Sequence, residues 1–86
     1  FDALICPACP LIPPAIAEVE DEKEYNRINM RLLRNTSVGN FLDRCSISLP
    51  CHAAGEAPVG LMLTGAHGAD RHLFAVSAAV EAVLAA

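Results

Sequence analysis

Eighty-six residues make one small domain at most, and folding at this size buries only about 60% of the surface that the unfolded chain exposes. The composition is 53% hydrophobic, above the ~45–50% apolar usage of soluble domains, so the chain carries more apolar surface than so small an interior can take up. A net charge of −4, with acids gathered in Glu18–Glu24 and arginines scattered, excludes the basic stripe that nucleic-acid binding requires. The uncharged run Leu4–Ala17 is interrupted by Pro7, Pro10, Pro13 and Pro14 and falls short of the roughly 20 apolar residues that span a bilayer.

The first predicted element is a short strand, Ala3–Cys6, stopped by Pro7, which removes a backbone donor. Its continuous hydrophobicity predicts burial on both faces, as in an α/β sheet. Pro7–Ala17 reads as an extended, proline-ruled loop draped over the surface. Glu18–Glu24 reads as a solvated run, with acids placed to suit the dipole of a following helix. Tyr25–Arg34 sets Tyr25, Ile28 and Leu32 on one stripe at helical spacing, and Arg31 and Arg34 fall in its last turn. Asn35-Thr36-Ser37 reads as a polar break, after which Thr36 or Ser37 caps a second short helix over Val38–Asp43.

Cys45–Leu49 alternates apolar and small polar residues, the pattern of a strand with one buried face, and Pro50 closes it. The loop Cys51–Pro58 reverses the chain into a partner strand, Val59–Thr64. Gly65 and Gly68 turn it into a final helix, Arg71–Ala86, with Asp70 as cap or first-turn acid. Leu73, Val76, Val80, Val83 and Leu84 form its apolar stripe. The predicted order is β, loop, α, α, β, β, α.

Few residues offer chemistry. Lys23, the only lysine, lies in an acidic polar run, where nothing desolvates it into a base. Cys6/Cys9 and Cys45/Cys51 have spacings that four thiolates on zinc, or a disulfide, also show. Their apolar surroundings instead favour free thiols acting as small hydrophobes, which implies a reducing, cytoplasmic compartment. Cys51-His52 is a nucleophile pair only on paper, since adjacent side chains rarely meet and no orienting acid stands nearby.

The strongest signal is the order of several short motifs. Thr36 and Asn40 give T-x-x-x-N, Ser48-Leu49-Pro50 gives a strand ending S-x-P, and Pro58–Gly65 reads P-V-G-L-x-L-x-G. Asp2–Pro7 fits D-x-L-x-x-P, and Cys9-Pro10 with Pro13-Pro14 fits a proline loop. Asp70, Leu73, Phe74, Ser77 and Glu81 follow a D-x-x-L-L-x-x-A-x-x-x-E helix, with serine replacing alanine. Together these resemble the carboxy-terminal third of the amidase signature enzymes, serine hydrolases that cleave carboxamides through a Ser–cis-Ser–Lys triad.

The resemblance implies an α/β/α sandwich with a mixed sheet, of which residues 1–86 are a carboxy-terminal segment, incomplete without an amino-terminal portion. The opening on Phe1, directly at a hydrophobic strand, reads as a cut end. The triad, and the Gly/Ser-rich segment that carries it, have no counterpart in these residues, so the segment is expected to be inactive alone. No cofactor or metal is implied. The implied partners are the missing portion and, in the parent enzyme, a small amide substrate; the uncovered apolar surface implies self-association of the isolated chain. Neither nucleic acid nor membrane is a partner.

Arg34, Asn35, Thr36 and Asn40 are the substrate-binding candidates. Three of them have a structural alternative: Arg34 as an exposed helix-end cation, Thr36 as a cap, Asn40 as a bridge between backbone groups. Two departures shape the expectation. Asp43-Arg44-Cys45 replaces the usual G-L-P, closer to allophanate-hydrolase-like and small-amide branches. Leu33 replaces an aspartate that, in the amidase-type component of tRNA-dependent amidotransferases, holds a substrate ammonium, so glutamine is not expected as substrate. The alternative from another class is a non-catalytic interaction module, a truncated homologue whose apolar face binds a partner.

Overall fold

The computed structural model describes all 86 residues, Phe1–Ala86. Strand β1 (Leu4–Pro7) leads through the proline loop and a 3-10 turn (Ile16–Val19) into helices α1 (Glu22–Leu32) and α2 (Arg34–Phe41). Strands β2 (Ser46–Pro50) and β3 (Gly60–Thr64) follow, then helix α3 (Asp70–Leu84). This is the predicted element order. The three strands form one antiparallel sheet in the order β1-β3-β2, with β3 in the centre.

Residues paired across strands share a face. Ile47 and Leu49 therefore look the same way as Leu63 and Leu61, while Ser46, Ser48 and Pro50 share the opposite face with Thr64, Met62 and Gly60. α3 covers the first face. Leu49, Leu63 and Leu73 are its buried centre, flanked by Ile47, Leu61, Val76 and Val80. On the second face Gly39 lies so close that a Cβ built there would stand 3.2 Å from Ser46 Oγ, and Ser46 Oγ meets Thr64 Oγ1 at 2.8 Å, satisfying a buried hydroxyl.

α1 starts earlier than its apolar stripe suggests, because Asp21 caps it, accepting from the Glu24 amide at 3.2 Å. The polar trio Asn35-Thr36-Ser37 lies inside α2 and does not break the helix. Thr36 Oγ1 and Ser37 Oγ donate back to Leu33 C=O at 3.2 and 2.6 Å, so their hydroxyls are satisfied without a turn. The joint falls instead at Leu33, which ends α1 and begins α2 with no side-chain cap. α2 ends in a left-handed Asp43, φ 53°, with Arg44 N–H reaching back to Gly39 C=O at 3.0 Å. His67 Nδ1 lies 2.7 Å from the Asp43 carbonyl and ties this corner to the β3–α3 turn.

Two burial expectations fail for one reason each. β1 is an edge strand with a neighbouring strand on one side only, so Leu4 and Ile5 stay 48% and 66% exposed, not buried on both faces. α3, at 15 residues, is about 22 Å long against roughly 16 Å for a five-residue strand, so Val83 and Leu84 overhang the sheet.

The molecule is a plate of 42 × 32 × 15 Å with a radius of gyration of 14.7 Å, where a compact chain of this length would show about 12 Å. Its accessible surface is 6298 Å², against about 4,900 Å² for a compact 9.1 kDa protein, an excess of about 1,400 Å². No helix is long and apolar enough to cross a membrane.

Candidate functional site: a proline-walled cleft

One open cleft of about 690 Å³ lies on the sheet face opposite α3. Its near wall is the proline loop, with Pro10, Pro13 and Pro14, and its far wall is Pro58 and Val59. The floor is Ser48, Pro50 and Gly60, and Leu32 of α1 closes one side. Proline walls cost little entropy to hold in place, and their missing donors leave few unpaired backbone groups facing the cleft. Gly60 keeps the floor open: a Cβ there would collide with Ser48 Oγ and come within 3.4 Å of Ala8 Cβ.

The loop between β2 and β3 is held shut by its own backbone. Cys51 N–H donates to Val59 C=O at 2.9 Å, and Val59 N–H donates to His52 Nδ1 at 3.1 Å. Gly55, at φ 85°, supplies the turn that only glycine adopts without strain. The polar atoms at the cleft are Cys9 Sγ, Ser48 Oγ and the His52 ring. With His52 Nδ1 occupied as an acceptor, the neutral ring carries its proton on Nε2. No hydrogen bond joins these three into a proton relay, and Lys23 is exposed on α1. The cleft can enclose and orient an apolar group, and no relay connects its polar side chains.

The four candidate binding residues lie on α2, outside the cleft lining. Two of them are joined: Arg34 Nε donates to Asn35 Oδ1 at 3.1 Å, and Asn35 Nδ2 donates to Pro7 C=O at 2.8 Å. Asn35 thereby fastens α2 to the start of the proline loop. Thr36 is turned into its own helix, and Asn40 is exposed one helical turn farther on. The sequence patterns do not mark Cys9, Ser48 and His52 as site residues, although Ser48 sits in the S-x-P motif. The available signal is the set of motif prolines, which read individually as strand ends and turns.

All four cysteines are free thiols, and no group of three His, Cys, Asp or Glu side chains is placed to hold a metal ion. Two groups at the surface have shifted titrations. A hydrogen bond and the charge of Arg27, 2.7 Å away, hold the Glu24 carboxyl below its ordinary range and raise the Arg27 guanidinium in turn.

Comparison with known proteins adds the decisive observation: residues 1–74 match the family model described as Amidase. This chain belongs to the amidase family. Among amidase relatives, 2-amino-5-chloromuconic acid deaminase of Comamonas testosteroni is 32% identical over 84 residues, covering 96% of this chain and 18% of that protein. The A-type subunit of the glutamyl-tRNA(Gln) amidotransferase of Sulfurisphaera tokodaii is 33% identical over 85 residues, covering 98% and 17%. Its counterpart in Saccharolobus solfataricus is 31% identical over 81 residues, covering 94% and 16%. The chain thus spans less than a fifth of the length of the curated relatives it matches. No solved structure matches it.

Proposed function

We propose that these residues are a carboxy-terminal segment of an amidase that hydrolyses a small carboxamide, with the Ser–cis-Ser–Lys groups in the remainder of the polypeptide. The observation that carries this reading is convergence. The proline loop, S-x-P and P-V-G motifs are spread over 50 residues from Pro10 to Gly60, yet they line one cleft. Packing α3 on the sheet requires none of that convergence. A surface that shapes a pocket in a larger enzyme does.

In this reading the segment supplies three strands, the covering helix α3 and one pocket wall. Arg34, Asn35, Thr36 and Asn40 present their helix beside that wall, with Asn35 fixing its distance from the proline loop through Pro7. The remainder supplies the serine that attacks the amide carbonyl, the lysine that takes up its proton and the amides that hold the oxyanion. The relatives' names share the removal or transfer of a nitrogen group, which supports C–N bond cleavage as the reaction class. Leu33 at the joint of α1 and α2 offers no charge for a substrate ammonium, which supports a neutral small amide over glutamine. Free thiols support a reducing, cytoplasmic setting.

The test is the product of the complete reading frame. It is expected to have several times the 9.1 kDa mass of this segment and to release ammonia from simple amides such as propionamide or benzamide, with no turnover of glutamine. The 86-residue chain alone is expected to show none. A native product of 86 residues, or amide turnover by the isolated chain that is lost on replacing one of its serines, would overturn the proposal.

A further inference from the structure

The pairing of β2 with β3 ends on an incomplete rung. Gly65 N–H bonds to Cys45 C=O and Cys51 N–H to Val59 C=O, both at 2.9 Å, so Cys45, Ile47, Leu49 and Cys51 stand where an antiparallel pair exchanges two hydrogen bonds. At Cys51 and Val59 only one of the two is made. The Val59 N–H, which regular pairing would give to Cys51 C=O, goes instead to His52 Nδ1 at 3.1 Å. A side chain that titrates thus closes the last rung, and the residue it holds, Val59, stands with Pro58 in the far wall of the cleft.

Protonation reverses what Nδ1 can do. A neutral imidazole keeps one ring nitrogen as an acceptor, whereas both nitrogens of an imidazolium are donors. With a proton on Nδ1 the Val59 amide loses its partner, and the ring is left facing Val59 C=O, 3.3 Å away, which Cys51 N–H already occupies. The other two histidines run the opposite way. His67 Nδ1 lies 3.3 Å from an Asp43 carboxylate oxygen and His72 Nε2 lies 3.0 Å from one of Asp2, so a proton tightens both pairs. His52 has no carboxylate partner. Across the cleft the proline loop brings it only the Cys9 thiol as a titratable group, α1 reaches the lining only through Leu32, and β2 and β3 bring Ser48, Pro50 and Gly60. In its own loop the titratable neighbours are Cys51 and Glu56.

We propose that His52 is a positioning residue, a pH-sensitive latch that acts through Val59 on the far wall of the cleft. In the neutral form Nδ1 completes the last rung and holds Val59 and Pro58 in place. In the charged form the Val59 amide turns to water, the rung opens, and a cation stands in a lining that has no other charged side chain. Both changes act in one direction. The cleft is closed and suited to an apolar group on the alkaline side of the imidazole range, and loosened and charged on the acid side. Release stays local, because the inner rungs at Leu49 and Ile47 are made by backbone alone, while the loop beyond the latch is turned by Gly55 and held only by Glu56 N–H on Ala53 C=O at 3.1 Å.

Residue-resolved amide hydrogen exchange on the complete gene product tests this, read as protection relative to the intrinsic rate so that base catalysis drops out. Between about pH 8 and about pH 5, the span over which imidazoles take up a proton, protection of the Val59 amide is expected to fall at least about 10-fold, while Leu63 on the same strand keeps its own. His52→Asn sets at the place of Nδ1 an oxygen that accepts and does not titrate, so Val59 protection in that variant is expected to be flat with pH. In His52→Ala the amide is expected to be unprotected at both ends. Constant Val59 protection in the native protein, or protection retained in His52→Ala, would show that the ring does not hold the wall and would sink the proposal. A fall of the same size in His52→Asn would assign the titration to another group and overturn it as well, and so would a joint loss at Val59 and Leu63, which would make the change global. Exchange is read without substrate, so its outcome is independent of the amidase reading.

Discussion

Leu63 and Ile28 are both buried aliphatic residues, but the regions around them differ. Leu63, 1% exposed, lies on the central strand between Ile5 and Ile47, with α3 above. Around Ile28, 8% exposed, α1 and α2 leave Tyr25, Met30, Leu33, Val38 and Phe41 half or more exposed, and before Leu49 only Ile28 and Gly39 are fully buried. The β2–β3–α3 unit closes its core within 41 residues of contiguous chain, from Ser46 to Ala86. The first half carries similar apolar content with nothing laid over it. The difference shows that hydrophobic sequence alone does not bury itself; a second layer must be supplied, and here only one face of the sheet receives a full one.

The sharpest way to break this comparison is truncation in each region. Leu63→Ala is expected to cost about 4 kcal/mol, near the top of the range for buried leucines, because no neighbour can collapse into the space. That is enough to abolish a cooperative melt in so small a chain. Ile28→Ala is expected to cost about 2 kcal/mol, at the bottom of the range, because its loosely packed surroundings can relax. Thermal melts of the two variants check the ranking. Equal losses would mean that the first half is packed as well as the second.

The cleft floor gives the next largest effect. Gly60→Val would drive branched atoms into Ser48 Oγ and toward Ala8 Cβ, and about 1–3 kcal/mol of strain is expected as β1 and β2 move apart. Denaturant midpoints measure it. Gly60→Ala should cost less, because rotating the Ser48 hydroxyl relieves most of the clash.

Ser77 runs the other way. It is 2% exposed on α3, and its hydroxyl has no hydrogen-bond partner. Ser77→Ala removes an unsatisfied buried group and adds helix propensity, so the melt is expected to rise by an amount equivalent to about 1 kcal/mol. A drop on substitution would mean that the hydroxyl has a partner and that the α3 face is wetter than its leucines indicate.

The smallest effect is electrostatic. The Glu24 carboxyl is held below its ordinary range by Arg27, so the pair favours the folded state above the unfolded carboxylate range, and this is lost as pH falls through the folded value. Arg27→Ala should return Glu24 to the ordinary range in an NMR titration and flatten the acid limb of the stability profile slightly. Both groups are solvated, so high salt should erase the difference.

Local sequence was enough for the elements, their order and the family. Strand alternation in Cys45–Leu49, the Ile28–Leu32 spacing and the chain of short motifs are local properties, set by backbone sterics and side-chain periodicity, and they survive in any context. Coverage and convergence came only with the folded chain. The apolar run at Ala3–Cys6 predicted burial on both faces, yet β1 sits at the edge and stays half exposed, because hydrophobicity reports what a strand can bury and not which neighbours reach it. The trio Asn35-Thr36-Ser37 predicted a break, yet it is helical, because its hydroxyls found the Leu33 carbonyl. Ser77 read only as a replacement for alanine in a helix motif, and its burial without a partner became visible only with α3 seated on the sheet. The cleft was the least legible feature of all. Its prolines each carried a sufficient local explanation, and only antiparallel pairing of β1 and β2 to β3 brings residues some 50 positions apart around one space.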